Sequence, residues 1–194
     1  MPDLHKRLTD ALSRTGSASS DFDLNKDVQL PDVRLTPAAV LVAVHAESEM
    51  LILTKRSARL KHHPGQIAFP GGKQDPTDPT PTDAALREAH EEIGLPRGMV
   101  DVLGTLPAHQ TVTGFQVTPV LAIVSGRFDP TPEAGEVSEV FQVPLSHVTD
   151  PAMFRVEGRF WQGRKRLYYT VPYGPYYIWG ATARILRALA ERMS

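Results

Sequence analysis

Residues 61–95 read KHHPGQIAFPGGKQDPTDPTPTDAALREAHEEIGL, and the reading of this stretch decides the fold. Its last third, Arg87-Glu88-Ala89-His90-Glu91-Glu92-Ile93-Gly94-Leu95, is the end of a short helix that stops at Gly94. Wound at about 100° per residue, Ala85, Leu86, Ala89 and Ile93 share one arc and form a face for burial. Glu88, Glu91 and Glu92 occupy a neighbouring arc. Like charges at this spacing cost about 0.2–0.5 kcal/mol per pair. They also crowd the helix end where the macrodipole disfavours negative charge. A hard divalent cation resolves the conflict, because Mg²⁺ is held by one or two carboxylates together with waters and phosphate oxygens. Upstream, Phe69-Pro70-Gly71-Gly72 closes a short apolar run, residues 66–69, and puts two glycines where a strand gives way to a loop. Without a Cβ, their backbone amides can approach a ligand closely. Each half alone has a plain alternative, a solvated acidic helix face or an ordinary turn. Together they are specific.

The combined stretch resembles the Nudix box, the glycine–acid–RE-apolar-x-EE-x-G-apolar signature of hydrolases acting on nucleoside diphosphates linked to another group. Gly72 matches the opening glycine, Arg87-Glu88-Ala89 with Glu91-Glu92 the core, and Gly94-Leu95 the close. The usual intermediate glutamate is absent, with Asp78 at its spacing and Asp75 nearby, and one extra residue separates Gly72 from Arg87. Pro76, Pro79 and Pro81 place that extra residue in a loop.

A second resemblance precedes the box. Leu53-Thr54-Lys55-Arg56-Ser57, then Leu60-Lys61-x-His63-Pro64-Gly65-Gln66-Ile67-Ala68-Phe69-Pro70-Gly71-Gly72, is similar to the motif of coenzyme A pyrophosphatases, and the longer box interval also fits that subgroup. The resemblance implies a Nudix-type α/β/α sandwich around a mixed β-sheet. It also implies cleavage of the coenzyme A pyrophosphate, with Mg²⁺ or Mn²⁺, to 3′,5′-ADP and 4′-phosphopantetheine. On this reading Glu88 and Glu92, one helical turn apart, are the principal metal ligands, with Glu91 as ligand or base. Gly72 gives a backbone contact, and Arg87 orients Glu91 or a loop carboxylate. Lys55, Arg56, Arg59 and Lys61 are candidates for the diphosphate and the 3′-phosphate, and His63 is a further substrate-binding candidate. Glu136 or Glu139, from a later loop, is the candidate auxiliary base. The alternative substrates within the family are an ADP-sugar, NADH or a dinucleoside polyphosphate. A non-catalytic nucleotide-binding module, or an RNA-associated protein using the basic segment 55–63, is the reading from outside it. Neighbouring His62 and His63 lack the spaced partners of a zinc site.

The rest of the chain agrees with one α/β domain over residues 1–194, of which 1–33 are an N-terminal helix and a connecting segment. Composition is ordinary at 41% hydrophobic and 22% charged, and the formal net charge of −1 gives no general attraction to nucleic acid or membranes. Cysteine is absent, which excludes disulfides and thiolate chemistry. Charged residues interrupt the N-terminus throughout, so a cytoplasmic location is expected. Residues 3–14 form an amphipathic helix with Leu4, Leu8, Ala11 and Leu12 inward, followed by a polar surface connection. Residues 38–44 and 50–54 form a hairpin of strands, and residues 100–106 another strand. Residues 115–124 are a further strand in which Pro119 marks an edge or a bulge, and residues 109–114 a polar loop bordering the site. Residues 139–145 are a strand after a Pro/Gly/Glu loop. Phe160, Trp161, Tyr168 and Tyr169 are half-buried strand residues. Residues 177–189 form a closing helix with Ile178, Ala181, Ile185, Leu186 and Leu189 inward.

Overall fold

The computed structural model describes residues 3–25, 28, 34–161 and 163–194, with the side chain of Trp161 outside that description. In chain order the elements are α1 (Leu4–Ser13), β1 (Ser19–Ser20), β2 (Thr36–His45), β3 (Met50–Arg56), β4 (Ile67–Ala68), β5 (Gly71–Lys73) and α2 (Pro81–Ile93). They continue with β6 (Val100–Thr105), β7 (His109–Gln110), β8 (Phe115–Val124), β9 (Val137–Pro144) and α3 (Leu145–Val148). The chain ends with β10 (Arg155–Trp161), β11 (Arg164–Thr170) and α4 (Gly180–Met193). Among the described residues, no helix is long and apolar enough to cross a membrane.

A mixed sheet forms the middle layer. β2 and β8 run parallel over ten paired positions, from Thr36↔Phe115 to His45↔Val124. On its other side β2 meets β3 at one position only, Val44↔Leu51, and the two strands then part. The gap admits β5, which pairs with the first half of β2 through Ala38↔Lys73, Ala39↔Gly72 and Val40↔Gly71. β9 pairs along β3, and β6 and β7 share the far side of β8. The alternation expected of strands sorts the core into two. Ala39, Leu41 and Ala43 face α2, while Val42 and Val44 face the layer that includes α1, α3 and α4. The result is the three-layer α/β/α arrangement around a mixed sheet.

Several local expectations are corrected. Pro119 lies in an interior strand, but its neighbours change there, from β7 at Val117 to β6 at Val120. Its carbonyl accepts from Leu106 N, so its missing N–H falls in the junction between two partners. Part of the polar N-terminal connection is structural. Ser19 and Ser20 pair with β7, and the buried Asn25 amide exchanges two 2.9 Å hydrogen bonds with the Leu167 backbone. Residues 26, 27 and 29–33 of that connection lie outside the described residues. The 109–114 loop begins inward, with buried His109 bonded to Ser19 Oγ at 2.9 Å and to Asp21 at 3.1 Å. Phe160 is 79% exposed, because β10 and β11 form a separate two-stranded hairpin rather than a strand of the main sheet. The last helix starts at Gly180, not at residue 177. Trp179 is extended and bridged to Thr170, Val171 N bonds to Ile178 O, and Gly180 has a φ of 65°. Ile178 is therefore buried from a loop, and Thr182 and Ala183, not Ala181, begin the buried stripe.

Candidate functional site

Local signals set the ends of α2. Thr80 caps it by accepting from Asp83 N at 3.2 Å, and Pro81 occupies its first turn. Gly94 ends it in the left-handed conformation at φ 70°, its N–H reaching the carbonyls of Ala89 and His90. Ala84, Ala85, Leu86, Ala89 and Ile93 are buried against the sheet. That docking leaves Glu88 and Glu92 facing β5, the strand that entered the gap beside β2.

The approach there is close. Gly71 N donates to Glu92 Oε2 at 3.0 Å. A Cβ on Gly72 would lie 2.5 Å from the Glu88 carboxylate, so only glycine leaves that carboxylate in place. At Gly71 the constraint is the backbone itself, with φ 153° and only 2.4 Å between Ala39 O and the place a Cβ would take. Glu92 is buried, and burial pushes its carboxyl from 4.5 up to about 7, against the pull of the Gly71 N–H and with help from the charge of Glu88. Burial raises Glu88 too, opposed by its hydrogen bond from Arg87.

Arg87 ties the acids together. Its Nε and Nη2 grip the buried Asp78 at 3.0 and 2.9 Å, while Nη1 reaches Glu88 at 3.0 Å and Glu91 at 2.9 Å. Nη2 also donates to Lys73 O at 3.1 Å, linking the helix to β5. The fork on Asp78 raises the guanidinium further above its usual value and holds the Asp78 carboxyl down. Asp78, at the intermediate-acid position, therefore serves Arg87, and Asp75 is more distant at 3.7 Å. Glu91 is 56% exposed and shares the Arg87 Nη1 donor with Glu88. Of the two auxiliary candidates, Glu136 is exposed and its charge acts on both Glu88 and Glu92. Glu139 instead accepts from the Tyr176 hydroxyl.

Among the described residues, no three His, Asp or Glu side chains converge to hold an ion by themselves. The Glu88–Glu92 pair nevertheless suits one. Two desolvated carboxylates on adjacent turns carry charge that the fold disfavours, and a hard cation with its remaining oxygens from water or phosphate relieves that cost.

The basic segment divides. A register shift between Lys55 and Arg56 ends the regular pairing of β3 with β9, and His63 turns the chain back at φ 54°. Lys55 and His63 line a cavity of about 460 Å³ together with Pro64, Gln66, Arg159, Tyr176, Tyr177 and Trp179. Burial, then the charge of Arg56, holds the His63 imidazole below its usual value. The charge of Arg56 acts on Glu92 as well. Arg59 and Lys61 are exposed on the turn and do not line the cavity. Arg159, Tyr176, Tyr177 and Trp179 escaped the sequence reading. Arg159 sits in a strand whose face is not set by local pattern, and Trp179 lies in a stretch with helical periodicity that folds as a loop.

The family model described as NUDIX domain matches residues 35–168. The chain is 42% identical over 173 residues to the Nudix hydrolase NudL of Enterobacter sp. (strain 638), covering 88% of this chain and 90% of that one. It is 44% identical over 154 residues to NudL of Cronobacter sakazakii (strain ATCC BAA-894), covering 79% and 80%. Among solved structures, the Nudix hydrolase RenU of M. smegmatis aligns at 29% identity and a TM-score of 0.48, over 58% of this chain and 73% of that one. The MutT protein of Methanosarcina mazei Go1 aligns at 21% identity and a TM-score of 0.49, over 61% and 83%.

Proposed function

This chain belongs to the Nudix hydrolases, and from that premise we propose that it hydrolyses the pyrophosphate linkage of coenzyme A, acting as a CoA diphosphatase that yields 3′,5′-ADP and 4′-phosphopantetheine. One observation carries the choice of substrate. The segment 53–72, which resembles the coenzyme A pyrophosphatase motif, supplies both a wall of the cavity, through Lys55 and His63–Ile67, and the glycines beneath Glu88 and Glu92. One continuous strand–turn–strand segment thus carries the motif, lines part of the cavity and contacts the acidic pair of α2.

Glu88 and Glu92 are the residues that would hold Mg²⁺ or Mn²⁺. Such an ion, when bound, neutralises diphosphate oxygens and lowers the pKa of an attacking water. Arg87 keeps Glu88 and Glu91 in place by hydrogen bonds of 3.0 and 2.9 Å. Glu91, solvent-facing and hydrogen-bonded to Arg87, would be the base that takes the proton of the water attacking phosphorus as the P–O bond breaks. Arg56, whose charge acts on both Glu92 and His63, would meet the diphosphate.

The test is turnover of coenzyme A, dephospho-CoA, ADP-ribose and NADH at equal concentrations with Mg²⁺ or Mn²⁺, with products identified. Coenzyme A is expected to be cleaved to the two products named, and chelation to stop the reaction. Cleavage of ADP-ribose or NADH with none of coenzyme A overturns the substrate assignment.

A further inference from the structure

We propose that the cavity between the β10–β11 hairpin and the turn after β3 is a subsite for a phosphate monoester on the nucleoside half of the substrate, gripped by Arg159 and Lys55. The inference rests on the coenzyme A reading, since that molecule carries a 3′-phosphate on its adenosine, and it assigns that group to residues outside the acidic site.

The positive charge at this cavity is uncompensated. Among the described residues, neither Lys55 nor Arg159 has a carboxylate within ion-pair distance, although acids lie close in the fold. Glu139 is directly opposite Lys55 in the β3–β9 register, where a cross-strand ion pair would ordinarily form. It accepts the Tyr176 hydroxyl instead. Glu157, two residues before Arg159 on the same face of β10, accepts from Tyr177 Oη at 2.7 Å and from Thr170. Tyr176 and Tyr177 thereby occupy the two nearby acids and themselves line the cavity. The cations are left facing an open space of about 460 Å³, within the size range of small-ligand pockets.

Arg159 is also held ready. Its guanidinium lies 4.7 Å from the centroid of the Trp179 ring, whose own position is braced by Tyr168 at 5.2 Å. The cation–π contact restrains the guanidinium, whose N–H groups can grip phosphate oxygens bidentately. Lys55, near the end of β3 and lining the same cavity, adds a point charge.

The experiment compares Arg159→Met, which keeps an apolar stem against Trp179, with Lys55→Met. kcat/KM is measured for coenzyme A and dephospho-CoA, and binding of 3′,5′-ADP and of AMP is measured by calorimetry. Loss of a charge-assisted contact is expected to lower kcat/KM for coenzyme A by about tenfold or more beyond any change for dephospho-CoA, mainly through KM. Binding of 3′,5′-ADP should weaken by a similar factor relative to AMP. Equal effects on both substrates, in both variants, overturn the subsite and leave the coenzyme A reading standing if the wild type still cleaves it. Arg159-dependent binding of 3′,5′-ADP by a wild type that cleaves no coenzyme A supports the subsite and overturns the substrate reading.

Discussion

Replacing Glu92 by glutamine should make the metal-free protein more stable at pH 8 while impairing catalysis. The carboxyl of Glu92 is buried, bonded to Gly71 N at 3.0 Å, and pushed from 4.5 to about 7 first by burial. Between those two values the folded state holds a proton that the unfolded chain has released. The stability linked to this group is therefore complete below pH 4.5 and is lost as pH rises through about 7. At about 1.4 kcal/mol per pH unit the loss is about 3 kcal/mol at pH 8, before relaxation and water entry reduce it. Glutamine keeps an oxygen for the Gly71 N–H and never ionises. The expected gain at pH 8 is about 1–3 kcal/mol, or about 3–10 °C in Tm for a domain of this size, and it should vanish near pH 4.5. Thermal unfolding of chelator-treated wild type and Glu92→Gln across that pH range reads the difference directly. Added Mg²⁺ should then raise the Tm of the wild type more than that of the variant, because a ligand has been removed. A variant no more stable than wild type at pH 8, or shifted by the same amount at both ends of the range, refutes the reasoning.

Gly72→Ala should fold, because the atoms its Cβ meets are the mobile end of Glu88, yet displacement of that carboxylate should lower turnover by about 10²-fold. Gly71→Ala meets backbone at Ala39 O and Val40 Cα and should lose stability as well as activity, so unfolding midpoints separate the two variants. Leu121→Ala, in the interior strand β8 with no exposure, should cost about 2–5 kcal/mol by chemical denaturation. Phe160→Ser, at 79% exposure, should change stability by no more than about 0.5 kcal/mol.

Much of the acidic helix was legible because its signals are local. Thr80, Pro81 and Gly94 are near in sequence to what they cap, and the 3.6-residue period put Glu88 and Glu92 one turn apart beside a face built from Ala85, Leu86, Ala89 and Ile93. The same holds for the strands at residues 38–44, 50–54 and 115–124, whose apolar runs survive as β2, β3 and β8. Pro119 misled because a missing N–H signals an edge only when one neighbour spans the whole strand, and here β6 and β7 divide it. Glu136 and Glu139 were indistinguishable in sequence. They separate in the fold because a tyrosine from the distant segment 173–179 takes up Glu139.

The chain's own order of residues determined the helix that carries the acids, the glycines beneath it and the basic turn before them, since each depends on contacts a few residues apart. Only the tertiary structure decided that Glu92 is buried while Glu91 is exposed, that β5 slips between β2 and β3, and that Arg159 and Trp179 line one cavity with Lys55. Those outcomes depend on which surfaces pack across long separations, and burial and charge compensation are properties of that packing.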